Sequence, residues 1–135
     1  MSIQVRELHH VGFSVPKQLV GPMHDFYRQV FGLPADPGRW HIPGVPGYFL
    51  EMPDATQLHI MGNDGVSPYA QGEGRDPVCN HLALTVASLE QAAEELRRRG
   101  IDFFGQRNVA AAELSQLFVR DPAGNLLELR QRQDD

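Results

Sequence analysis

Cysteine is nearly absent: Cys79 stands alone among 135 residues, so no internal disulfide can staple the fold. Basic clusters are scarce too. Twelve Lys and Arg face 17 Asp and Glu for a formal net charge of −5, and the one local basic run is Arg97, Arg98 and Arg99, which excludes nucleic acid as an expected partner. No apolar stretch approaches the roughly 20 residues needed to cross a bilayer. The residues after Met1 show no basic segment followed by an apolar run, so a soluble, cytoplasmic chain with no membrane partner is expected. Also missing are a glycine-rich phosphate loop, a Walker sequence and a nucleophile elbow. What is present is ordinary globular composition, 41% hydrophobic and 21% charged, in a length that suits one domain, residues 1–135, with a real core.

The most informative feature is an internal repeat. His10-Val11-Gly12-Phe13-Ser14-Val15 and His81-Leu82-Ala83-Leu84-Thr85-Val86 share the order histidine, apolar, small, apolar, hydroxyl, valine at an offset of 71. At an offset of 69, Phe49-Leu50 aligns with Phe118-Val119, Pro53 with Pro122, and His59 with Glu128. The chain therefore reads as two copies of one module, 7–62 and 78–132.

Each copy presents its elements in the same order. Met23, Phe26, Tyr27, Val30 and Phe31 recur at helical spacing over residues 22–31, with Pro22 suited to the first turn and Gly32 to the cap. In the second copy Ser88 and Gln91 make a capping box, Leu89, Ala92, Ala93 and Leu96 form the apolar stripe, and Gly100 closes. Arg97 to Arg99 then read as a solvated last turn. Strand-like runs follow at 48–52 and 57–61, and at 101–104, 116–120 and 125–130, with a hairpin turn at Asp121-Pro122-Ala123-Gly124-Asn125. Gly and Pro fill seven of the fourteen positions in 34–47 and six of the sixteen in 62–77. The second stretch reads as the connection between modules, and the first as a surface loop whose Arg39, Trp40 and His41 are placed to cover a pocket.

Alternation along a strand places His10, Gly12 and Ser14 opposite Val11, Phe13 and Val15. The same division sets His81, Ala83 and Thr85 against Leu82, Leu84 and Val86. His59 and Glu128 likewise lie opposite the apolar residues expected to meet the helices. A single histidine on a strand is ordinarily just a hydrogen-bonded, half-buried side chain. Four metal-ligand types in four equivalent slots is a different matter. If the two modules turn their non-helix faces inward, His10, His59, His81 and Glu128 converge as three imidazoles and a carboxylate. That donor set suits one Zn, Ni, Co, Mn or Fe ion with positions left for substrate. His9 is assigned to the opposite face, His24 to the first helix and His41 to the loop. Cys79 has no spaced motif around it and is expected to pack as a small hydrophobe.

The sequence resembles the vicinal oxygen chelate superfamily of glyoxalases, epimerases, thiol transferases, extradiol dioxygenases and bleomycin-resistance proteins. The resemblance rests on Leu8-His9-His10-Val11, Asp25-Phe26-Tyr27 through Phe31-Gly32-Leu33, Asn80-His81-Leu82-Ala83, and Val119-Arg120-Asp121-Pro122-Ala123-Gly124-Asn125-Leu126-Leu127-Glu128-Leu129. It implies an α+β fold of two tandem βαβββ modules, an eight-stranded curved-sheet funnel with helices outside, and a homodimer. It also implies His10, His81 and Glu128 as metal ligands. His59 stands where glyoxalase I has a glutamate, as a fourth ligand or a proton carrier. Catalysis is thus expected from Glu128 and His59: a lyase or isomerase acting on a small, metal-chelating oxygenated substrate through an enediolate-like intermediate. An extradiol dioxygenase is the alternative, although Phe118 stands in a neighbourhood where that pattern has a tyrosine. A thiol transferase is a third reading, and a metal-free drug- or metabolite-binding protein a fourth, of another class.

Overall fold

The computed structural model describes residues 2–39, 41–107 and 114–132; Trp40 lies outside them. The chain order is β1 (Val5–Val15), a 3-10 turn (Lys17–Leu19), α1 (Val20–Phe31), β2 (Gly47–Glu51), β3 (Gln57–Gly62), β4 (His81–Val86), α2 (Leu89–Arg98), β5 (Phe103–Arg107), β6 (Leu114–Arg120) and β7 (Leu126–Arg130). The architecture is α+β. Where eight strands are expected, the described residues form seven, in mixed parallel and antiparallel pairing. The place of a further strand is held by a single bridge, Ala35 to Leu50. Pro34 and Pro37 flank that bridge, and proline has no N–H to extend a ladder. The chain divides into two compact units, His10–His81 and Met1–His9 with Leu82–Asp135.

In the unit His10–His81, the residues of β1 from His10 onward run parallel to β3, and β2 runs antiparallel to β3. A parallel pair needs a long crossover, and α1 lies on it. Gly32 ends α1 in the left-handed conformation, φ 70°. Leu50 and Ile60 are fully buried. The stripe expected to pack on the core behaves otherwise: Val20 is the one buried residue of α1, whereas Phe26, Val30 and Phe31 are 50–61% exposed. A Cβ at Gly62 would meet Val20, so the first turn of the helix seats closely on β3 and the aromatic end projects outward. The two Gly/Pro-rich segments are ordered against each other. Asp76 accepts from the Ser67 N–H at 2.8 Å, the Ser67 hydroxyl at 2.6 Å and the Val78 N–H at 3.0 Å. Val45, Met61 and Val78 form a small core there with Ile42 and Tyr69. Cys79 corrects the expectation set for it: its side chain is exposed, and its neighbour Val78 does the packing.

In the other unit the order is β4, β7, β6, β5, with β6 antiparallel to both β7 and β5. Ser88 caps α2 by accepting from the Gln91 N–H at 3.2 Å. Leu89, Ala92, Ala93 and Leu96 pack on Val86, Leu117 and Leu129. Register then assigns the other face of the same strands: Phe104, Phe118 and Glu128 stand in one row, and Gln106, Gln116 and Arg130 in the next. Arg98 and Arg99 pair with Glu95 on the solvated side of α2, as the last-turn reading expects. The 121–125 turn is fastened by Asp121, which accepts from the N–H groups of Ala123 and Asn125.

Candidate active site

In the unit His10–His81, three of the four expected site residues come together. β3 places His59 beside Gly12 of β1 and Phe49 of β2. His10, His59 and His81 are all buried. The Nε2 atoms of His10 and His81 face each other at 3.0 Å. His81 Nδ1 lies 2.7 Å from the Cys79 carbonyl oxygen, which can only accept, so Nδ1 carries the proton and Nε2 presents its lone pair toward His10. Burial holds the His81 pKa below its ordinary value against the opposing Cys79 bond, and the ring is neutral at neutral pH. A histidine oriented through its far nitrogen by a backbone carbonyl is the usual arrangement for a metal ligand. Two imidazole nitrogens, each about 2.1 Å from one ion and at right angles, stand about 3.0 Å apart. The pair therefore fits a shared divalent cation. Gly12 makes room for it, because a Cβ there would collide with the His81 ring.

His59 is set differently. Its ring lies flat between Phe49, with centroids 3.5 Å apart, and His10, at 3.7 Å and 19° between planes. Imidazole lone pairs lie in the ring plane, so two rings stacked face to face direct theirs along separate, nearly parallel planes and do not converge on one point. Gln57 fixes the remaining orientation: its Oε1 is 2.9 Å from His59 Nε2, and its Nε2 donates to Asp36 Oδ2 at 3.0 Å. This relay puts the His59 proton on Nε2 and makes Nδ1 the acceptor. Arg39 crosses the ring of Phe49 at 5.1 Å and donates to the Val45 carbonyl, so the loop after α1 supports the stack. His24 stacks on Tyr48, and His41 is exposed; neither joins the group.

In the other unit, Glu128 is buried on β7 directly opposite Phe118. Burial pushes its carboxyl up to about 7, against the charge of Arg130 and a hydrogen bond from Gln116. Such a group is only partly ionised at neutral pH, and a divalent cation beside it would favour the charged form. Phe118 stacks on Phe104, so no phenol stands opposite Glu128. Strict alternation set His9 apart from the site residues. Its Nδ1 nevertheless lies 3.4 Å from Nη1 of Arg130, which shares the Glu128 face. Burial and then the charge of Arg130 depress His9 to about 4. Sequence reasoning missed Gln116 and Asp36 as neighbours of the expected site residues; the period-two pattern of β6 could have found Gln116, whereas Asp36 lies in a loop that carries no pattern.

A sequence model described as the Glyoxalase/Bleomycin resistance protein/Dioxygenase superfamily matches residues 7–129. No curated protein matches the chain. Among solved structures, methylmalonyl-CoA epimerase from Mycobacterium tuberculosis is similar at 23% identity and a TM-score of 0.70, over 97% of this chain and 91% of that one. A Streptomyces coelicolor methylmalonyl-CoA epimerase variant in complex with 2-nitronate-propionyl-CoA is similar at 17% identity and 0.65, over 98% and 99%. A catechol 2,3-dioxygenase is similar at 24% identity and 0.62, over 96% of this chain and 40% of that chain. These likenesses show a shared fold. With the family match running nearly end to end, the chain belongs to the glyoxalase/bleomycin resistance protein/dioxygenase superfamily.

Proposed function

We propose that the protein is a divalent-metal-dependent enzyme of the glyoxalase type, a lyase or isomerase acting on a small oxygenated substrate that chelates the metal. In this reading His10, His81 and Glu128, each buried and each offering one donor atom, hold the ion, which is Zn, Ni, Co, Mn or Fe. The observation that carries it is the His10–His81 pair, 3.0 Å apart and oriented by the Cys79 carbonyl. The ion supplies the charge that stabilises the oxyanion formed when a carbon-bound proton leaves. His59 takes that proton at Nδ1 while Gln57 holds its Nε2–H, and Glu128 serves as ligand and as a second proton carrier. The flat stacking of His59 on His10 favours this role over a fourth ligand.

The modules 7–62 and 78–132 are taken as halves of one domain and of a funnel completed toward eight strands. The exposed Phe26, Val30 and Phe31 of α1 support a homodimer, because an apolar helix face of this size is seldom left in water. No helix among the described residues is long and apolar enough to cross a membrane.

The test is proton exchange. Protein loaded with each divalent ion in turn should wash deuterium from D2O into the carbon next to the chelating oxygens of a 2-oxo or 2-hydroxy acid panel, and His59→Ala should lower the rate by at least 100-fold. Exchange at the same rate in His59→Ala removes the proton-carrier role. The second reading, an extradiol dioxygenase, is favoured by the structural likeness to catechol 2,3-dioxygenase and opposed by Phe118 facing Glu128. Oxygen consumption with catechol under ferrous loading would establish it in place of the first.

A further inference from the structure

We propose that the substrate is an anion, and that Arg130 binds its oxyanion group two residues along β7 from Glu128. The proposal rests on the metal-enzyme reading above and adds the class of molecule it acts on.

Arg130 and Glu128 are two residues apart on β7, on the face opposite the one that packs on α2. Their Cα atoms are therefore about 6.7 Å apart along one face. Register places Gln116 of β6 directly opposite Arg130, and Gln106 of β5 opposite Gln116. Gln116 hydrogen-bonds Glu128, so Arg130 is the principal donor beside the row of Phe104, Phe118 and Glu128. The nearby Arg132 differs: it pairs with Glu7 at 2.8 Å. Among the described residues no carboxylate lies within ion-pair distance of Arg130; its charge acts on the Glu128 carboxyl, and its Nη1 lies 3.4 Å from the ring nitrogen of His9. A half-buried guanidinium presents five donors in a planar fork that matches carboxylate or phosphate. One long contact to an imidazole uses little of that capacity. The formal charges agree: a divalent ion with one carboxylate ligand and Arg130 leaves the site two charges positive, which an acidic chelating substrate offsets.

Malonate and phosphonoacetate are suitable probes, because each carries a chelating group and a second oxyanion. Malonamide is the neutral counterpart. Their affinities would be measured by calorimetry on zinc-loaded and metal-free protein, with retained zinc counted in the same samples. Arg130→Met should weaken malonate or phosphonoacetate at least tenfold and leave malonamide within twofold. Arg130→Lys should fall between the two, and Arg132→Met, the same charge change on an engaged arginine, should stay within twofold of the parent. Whichever probe loses more identifies the group as carboxylate or phosphate. Unchanged anion affinity in Arg130→Met, an equal loss in Arg132→Met, or no saturable anion binding by the parent overturns the proposal. Failure to retain zinc overturns the metal reading separately, since Arg130-dependent anion binding is read in the metal-free protein as well.

Discussion

Gly12 is the smallest residue near the histidine pair and the one whose replacement is most easily foreseen. A methyl group there would occupy the volume of the His81 ring. The ring must then turn away from His10 and give up its bond to the Cys79 carbonyl. Gly12→Ala should therefore lower metal affinity by about 10- to 100-fold, the range for losing an orienting partner of a ligand, while far-ultraviolet circular dichroism stays that of the parent. Equal metal affinity in the two proteins would mean that the His81 position does not matter. The repeat set His10 and His81 in matching slots, and the structure brings their two rings together. The stacking of His59 was not legible in the sequence, since ring orientation depends on Gln57, Asp36 and Phe49, which lie on two strands and a loop. Cys79 illustrates the same limit. Its useful group is a backbone carbonyl, which no residue type announces.

At the scale of elements, pattern succeeded where burial follows period and failed where it does not. α2 packs the stripe and uses the cap that its spacing implies, because both sides of the contact lie on regular structure. α1 has an equally apolar stripe, yet its aromatic end faces outward, and periodicity says which residues share a face without saying what covers it. Sedimentation should show a dimer that Phe31→Ser together with Val30→Ser converts to monomer; a monomeric parent would leave this face without a second copy. The segment 62–77 was expected as a mere connection. Its Asp76 instead satisfies three donors around the Val45, Met61 and Val78 core. Asp76→Ala strands buried N–H groups and should cost about 2–4 kcal/mol in chemical denaturation; a loss under 1 kcal/mol would make the clamp incidental.

For the whole molecule, the buried Glu128 and the half-buried His9 pull pH dependence in opposite directions. The folded carboxyl of Glu128 titrates near 7 and the unfolded one near 4.5. The native state thus binds the extra proton between those values, and stability falls as pH rises through that window. His9, depressed to about 4 from 6.5, has the contrary effect: its stabilisation is present above 6.5 and is lost as pH falls toward 4. Subtracting the stability of Glu128→Gln isolates the carboxylate. In metal-free protein the difference, parent minus variant, should drop by about 3 kcal/mol from pH 4.5 to 7, and a saturating divalent ion should abolish the drop. A difference that stays level across the window would mean that Glu128 is already compensated without metal.

The central claim, that His10, His81 and Glu128 hold one ion, meets its most direct test in elemental analysis of untagged protein after chelation and reconstitution with single divalent ions. About one tightly held ion per chain is predicted for the parent, falling to a small fraction in His10→Ala, His81→Ala and Glu128→Ala. No retained ion under any loading, or full retention in the three variants, would contradict it and leave these residues as the polar lining of a metal-free binding protein.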